Sequence, residues 1–234
     1  MPSQSKAELL EIARHRLYPS LRDPNYLVLR RRRLILTEWI SRLPTDGLTV
    51  LDLGGRYQPY RPLLVGRVRR YVAFDLLQTV ITDVVGRGEH LPFRGNSFDL
   101  VIATGVFEYF PKPHDVAEQV FNALKPGGVL LMSVGAVSGR YVDEEHWRYM
   151  RSGLGSVLAP FAEVEIVPEV YTLGGFCRIV NFGLDLMTKT ALLRNVYRAT
   201  VCPMINVAGL MMEGAKLTTN DQLAGNYAAW ARKA

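Results

Sequence analysis

Short apolar runs that stop at an acid or a glycine recur through the first two thirds of this chain, with helical segments between them. Residues 48–53, 71–75, 98–104, 129–134 and 164–170 read as strands. Residues 80–85 form a weaker strand, because Asp83 interrupts the run. The run 98–104 is almost continuously apolar, as expected of a strand covered on both faces. Residues 7–16, 24–43, 114–124 and 151–158 read as helices; in the second, Leu34, Ile35 and Trp39 continue a buried face at helical spacing. Turns at Pro44-Thr45-Asp46-Gly47 and Lys125-Pro126-Gly127-Gly128 introduce the first and fifth strands. Such alternation specifies a mostly parallel sheet with helices on both faces.

The last third breaks this rhythm. Residues 174–216 are strongly apolar, with one cluster around Phe176, Phe182 and Leu186 and another around Val201, Met204 and Met211. They read as two helices entered through a hinge at Gly174-Gly175. The expected organisation is a helical cap at residues 1–46, a core at 47–173 and 217–234, and a helical insertion at 174–216 that forms a lid.

Composition narrows the class. Hydrophobic residues make up 48% and charged residues 21%, which suits a folded domain and argues against overall disorder. The net charge is +6, and Arg30, Arg31, Arg32 and Arg33 are consecutive. They form either a solvated helix face or a surface for an anionic partner. Two cysteines, Cys177 and Cys202, make neither a metal pattern nor a disulfide framework, so no metal is expected and the compartment is read as reducing. The polar start lacks a signal peptide's apolar core, and no run reaches membrane-spanning length. The expectation is a cytoplasmic protein, with peripheral contact at the inner face of the membrane open to the apolar segment.

The most informative motif is T-V-L-D-L-G-G-R at residues 49–56. A strand ending in an acid and two glycines suits a turn that presses backbone against a ligand. Asp75 closes the next strand, where it would meet a ribose. The glycines do not form G-x-G-x-x-G, and Arg56, Pro59 and Pro62 occupy the turn region, so a pyrophosphate clamp is not indicated. S-adenosylmethionine has no phosphate; it needs a close turn, a ribose acceptor and an apolar adenine slot.

With F-D at 74–75, E-H-L-P-F at 89–93, S-F-D-L-V-I-A-T-G-V-F-E-Y at 97–109 and L-K-P-G-G-V-L-L at 124–131, the chain resembles the class I S-adenosylmethionine-dependent methyltransferases, of the small bacterial type. The resemblance covers residues 48–161 and implies a Rossmann-like seven-stranded α/β sheet whose last strand is residues 225–233. It further implies donor contacts at Asp52, Gly54, Gly55, Asp75, Leu76, Gly88, Glu89, His90 and Thr104. Three positions depart from the family pattern: Arg56 for the second glycine, Arg87 for an acid near adenine, and Tyr109 where many relatives carry histidine.

Acceptor chemistry is less defined. His146 is a candidate base, with Asp143, Glu144 or Glu145 to orient it, and Tyr109 follows the strand where the methyl group should emerge. The structural alternatives are a polar helix start for His146 and an aromatic wall for Tyr109. The acceptor is expected to be a small molecule or a lipid-linked one, as in glycan or secondary-metabolite tailoring. The insertion would border its pocket, serve as a homodimer interface or touch a membrane. Nucleic acid is disfavoured, because no RNA-binding module accompanies the arginines. The rival reading is a donor-binding scaffold without turnover.

Overall fold

The computed structural model describes residues 4–140 and 142–234; the first residues of the polar start, 1–3, lie outside them. Seven strands form one sheet: β1 (Leu48–Leu53), β2 (Val68–Asp75), β3 (Val84–Val85), β4 (Phe98–Thr104), β5 (Leu124–Gly135), β6 (Glu163–Pro168) and β7 (Asn226–Arg232). Their order is β3-β2-β1-β4-β5-β7-β6. The first five pair in parallel, and β7 runs antiparallel between β5 and β6. This is the Rossmann-like α/β sheet expected from the sequence.

Strand alternation decides what each face buries. Val50, Leu100, Ile102 and Leu131 share a cluster with Ile35, Leu36 and Trp39 of α2 (Tyr26–Ser41). Leu51, Leu53, Val101 and Leu130 pack with Val116 and Val120 of α3 (Pro113–Ala123) and Leu154 of α4 (Arg151–Val157). The N-terminal helix α1 (Lys6–Leu17) starts at a capping box in which Ser5 and Glu8 satisfy each other's backbone N–H, and its Leu17 joins the α2 side of the core.

The basic run in α2 is not one solvated face. Arg32 is buried, and its Nε and Nη2 donate to Glu169 at 2.7 and 3.0 Å. Helical geometry requires this, since Arg32 stands four residues after Val28 and four before Leu36, both buried. Ser133 Oγ donates to the same carboxylate at 2.6 Å.

Three helices, not two, follow β6: α5 (Thr172–Met187), α6 (Ala191–Ala199) and α7 (Val201–Gly214). Thr190 makes the extra boundary, its Oγ1 accepting from Leu193 N at the start of α6. Gly174 and Gly175 are no hinge; they lie buried inside α5. At Gly175 a Cβ would stand 1.7 Å from the Leu223 carbonyl oxygen, so glycine permits a close backbone approach there. The third strand shrinks to two residues because Asp83 turns its carboxylate to the β2 edge, accepting from Ala73 N at 2.8 Å.

Candidate functional site

The C-terminal ends of β1 and β2 lie side by side, Leu53 opposite Phe74. Gly54 N and Gly55 N both donate to Phe74 O, at 2.9 and 3.0 Å. Gly54 has φ +79°, and a Cβ on it would strike Val106 at the end of β4. The chain then folds back so that Arg56 N donates to Asp75 Oδ2 at 3.2 Å, while Leu77 N donates to Oδ1 at 2.9 Å. Asp75 is half-buried. Burial raises its pKa, and the two N–H donors oppose that shift. Leu76 beside it is 59% exposed, an apolar side chain with nothing over it.

Gly88 is buried against Phe110, whose ring leaves no room for a Cβ there. Glu89 and His90 follow, and with Arg87 and Lys112 they line a cavity of about 290 Å³. Thr104 ends β4. Gly105 beyond it has φ +62° and open space where a side chain would stand. Asp52 is different: it is buried, and Tyr71 Oη donates to its Oδ2 at 2.5 Å. Burial pushes its pKa up to about 7; the Tyr71 hydrogen bond works against this, and nearby Asp75 adds to it.

Two segments distant in sequence build the other side of the edge. His146 N and Trp147 N both donate to Glu108 O, at 2.7 and 3.2 Å. Trp147 Nε1 donates to Phe110 O at 2.8 Å, and Tyr149 Oη to Phe107 O at 2.9 Å. Residues 146–149 are thereby fastened to the 3₁₀ turn Phe107–Tyr109, which brings Tyr109 and His146 into one layer. Both side chains are exposed. Tyr109 Oη lies 3.5 Å from Glu145 Oε1, and burial pushes its pKa up to about 12. Glu145 pairs with Arg148 at 2.6 Å and Asp143 with Arg140 at 2.8 Å. Phe182 of α5 presses on Gly139, where a Cβ would collide with its ring, so the first of the three helices lies against the loop leading to this layer.

Strand order and a local sequence match agree on one fold. Residues 51–132 match the family described as "Methyltransferase domain". The chain has the class I S-adenosylmethionine-dependent methyltransferase fold. Malonyl-[acyl-carrier protein] O-methyltransferase of Haemophilus ducreyi is 32% identical over 94 residues, 40% of this chain and 33% of that protein. The chain thus spans about a third of the length of the curated relative it matches. Three solved structures share the methyltransferase fold. Phosphoethanolamine N-methyltransferase 2 of Haemonchus contortus, in complex with S-adenosyl-L-methionine, has TM-score 0.54 at 15% identity over 94% of this chain and 60% of that one. A SAM-dependent methyltransferase of Archaeoglobus fulgidus has TM-score 0.53 at 16% identity over 86% and 94%. The [4+2]-cyclase SpnF has TM-score 0.52 at 17% identity over 85% and 80%.

Within this methyltransferase fold, sequence reading missed Glu108. It is buried, Oε1 accepts from Gly135 N at 2.6 Å, and Oε2 is a buried oxygen with no hydrogen-bond partner among the described residues. Burial raises its pKa. Its place four residues after the end of β4, between Phe107 and Tyr109, is the signal that could have found it.

Proposed function

We propose that this protein transfers a methyl group from S-adenosylmethionine to a small or lipid-linked acceptor in the cytoplasm, as a tailoring step on a glycan or secondary metabolite. The observation that carries the reading is Asp75, a half-buried carboxylate at the strand edge beside the uncovered Leu76. The residues present fit the donor. Asp75 would accept from the ribose hydroxyls, and Leu76 with Gly88, Glu89 and His90 would border adenine. Gly54, Gly55 and Thr104 would lie along the amino-acid end, with the open space at Gly105 beside them. Asp52 would hold the turn from beneath, through Tyr71.

When bound, the donor supplies an electrophilic methyl on a sulfonium sulfur. The protein aligns the acceptor and excludes water. His146 would take the proton from an oxygen or nitrogen acceptor, since an imidazole can serve as a general base. Tyr109 would shape the acceptor wall. The relative from Haemophilus ducreyi supports a small acceptor class, through the segment it shares. In this reading residues 1–46 are a cap, residues 47–173 and 217–234 the catalytic core, and 174–216 an insertion beside the acceptor.

Calorimetry with S-adenosylmethionine and with NAD tests the donor assignment. The former should bind and the latter should not; preference for NAD, or no donor binding by folded protein, overturns the assignment. Asp75→Ala should cost about 1–3 kcal/mol of donor affinity, the loss of a charge-assisted acceptor. Donor binding with no turnover across a broad acceptor panel would favour a scaffold instead.

A further inference from the structure

The helices after β6 carry an apolar surface that the protein leaves uncovered. On α6, Leu192, Leu193 and Val196 share one side at helical spacing, with Arg194, Asn195 and Arg198 opposite. A surface helix of a soluble domain turns its apolar side inward. Here the apolar side faces outward. Arg198 donates to both oxygens of Asp185, at 2.7 and 2.8 Å, and Arg194 Nη2 donates to Thr188 O at 3.1 Å. Tyr197 is the buried residue of this helix, while Leu192 is 73% exposed.

The adjoining α7 repeats the arrangement. Cys202, Asn206 and Gly209 are buried along one side. Met204, Val207 and Met211 form an outward stripe, and the two methionines are 71% and 70% exposed. Leu186 and Met187 at the end of α5 are exposed as well.

Charge selects what covers this surface. Between Asp185, which is paired with Arg198, and Glu213 at the far end of α7, the chain carries Lys189 and Arg194 as further cations and no Asp or Glu. The far end of α7 borders a cavity of about 560 Å³ whose lining sets Arg30, Arg31 and Lys216 against Glu169 and Glu213, one cation in excess. A second copy of the chain is a poor fit, since a two-fold contact would set this cationic patch against itself. An anionic lipid surface satisfies both terms: acyl chains take the leucines and methionines, and headgroups take the cations. Among the described residues no helix is long and apolar enough to cross a membrane, so the contact lies along the surface.

We propose that the outer face of α6 and α7 docks this protein onto the surface of an anionic bilayer. The inference is independent of the donor assignment. The full chain should co-sediment with vesicles of phosphatidylcholine mixed with phosphatidylglycerol. It should bind pure phosphatidylcholine more weakly, and lose binding as salt rises. Leu193→Asp combined with Met204→Asp should reduce vesicle binding about tenfold or more. The melting curve should stay unchanged, because both side chains already stand in water. Lys189→Gln with Arg194→Gln should flatten the salt dependence. No binding to the mixed vesicles overturns the proposal. So does equal binding by wild type and the Asp variant, or a dimer in light scattering that the Asp variant dissolves.

Discussion

Helices α2 and α6 are built from similar material and are turned opposite ways. Both mix leucine and valine with arginine. Helix α2 faces a sheet lined by Val50, Leu100, Ile102 and Leu131, so its apolar stripe turns inward and carries Arg32 in with it. Helix α6 packs inward through Tyr197 alone, with Arg198 paired to Asp185 and Arg194 bonded to Thr188 at the surface, and its leucines turn out. An amphipathic pattern establishes that a helix has two sides. Which side is dry depends on the neighbour, and the neighbour arrives from elsewhere in the chain.

The largest expected effect breaks the α2 half of this contrast. Arg32→Ala leaves Glu169 buried and uncompensated, and should cost about 3–5 kcal/mol in urea unfolding. Glu169→Gln added to Arg32→Met should recover most of that loss, since Ser133 keeps an acceptor and no lone charge remains. Leu36→Ala, under the same helix, should cost about 2–5 kcal/mol through the cavity it opens.

A middle-sized effect concerns the sheet face beneath α2. Asp52 titrates in the native state at about 7 against an ordinary 3.8. The native state therefore holds its proton to higher pH than the unfolded chain does. Stability falls as pH rises from about 4 to about 7 and is level above that. Asp52→Asn should flatten this slope and add up to about 4 kcal/mol near pH 8, because the rise from 3.8 to about 7 is about three pKa units at about 1.4 kcal/mol each. Thermal melts across that range check it; a parallel slope in the variant would assign the pH dependence to other groups.

The smallest effects sharpen the α6 half. Arg198→Ala should cost about 0.2–1 kcal/mol, as its pair with Asp185 is partly wet. Leu193→Ser should shift stability by no more than about 0.5 kcal/mol, in contrast to Leu36→Ala. A cost near that of Leu36 would show that the outer face of α6 is packed after all.

The sheet and the turn that follows its first strand were legible because their signals are local. Strands β1 and β4 match their expected bounds, each punctuated by turn residues and closed by an acid, a glycine or a threonine. Strand β2 begins three residues earlier than its apolar run, since Arg69 and Arg70 extend it with exposed side chains. The double glycine was readable because backbone geometry demands it within a few residues. The layer holding Tyr109 and His146 depends on hydrogen bonds between segments far apart in sequence, which no spacing rule encodes. Arg32 was mistaken for part of a wet face because four adjacent arginines look alike until helical spacing separates them. The boundary at Thr190 was lost among apolar residues, where a cap carries less visual weight than a cluster.

Strand β6 has a single neighbour in the sheet, and that neighbour is β7. Three helices intervene in the chain before β7 appears. During synthesis β6 and all of α5–α7 therefore leave the ribosome before the strand that ties them to the rest of the sheet exists. Until β7 slides between β5 and β6, the edge of β5 is open and the outer helices are held through their own packing, α2 and the loops at residues 21–23 and 137–139. The interval before closure is when the nascent chain offers the most greasy surface with the least fixed shape, so the last strand is also the step at which this protein stops being vulnerable to the wrong partner.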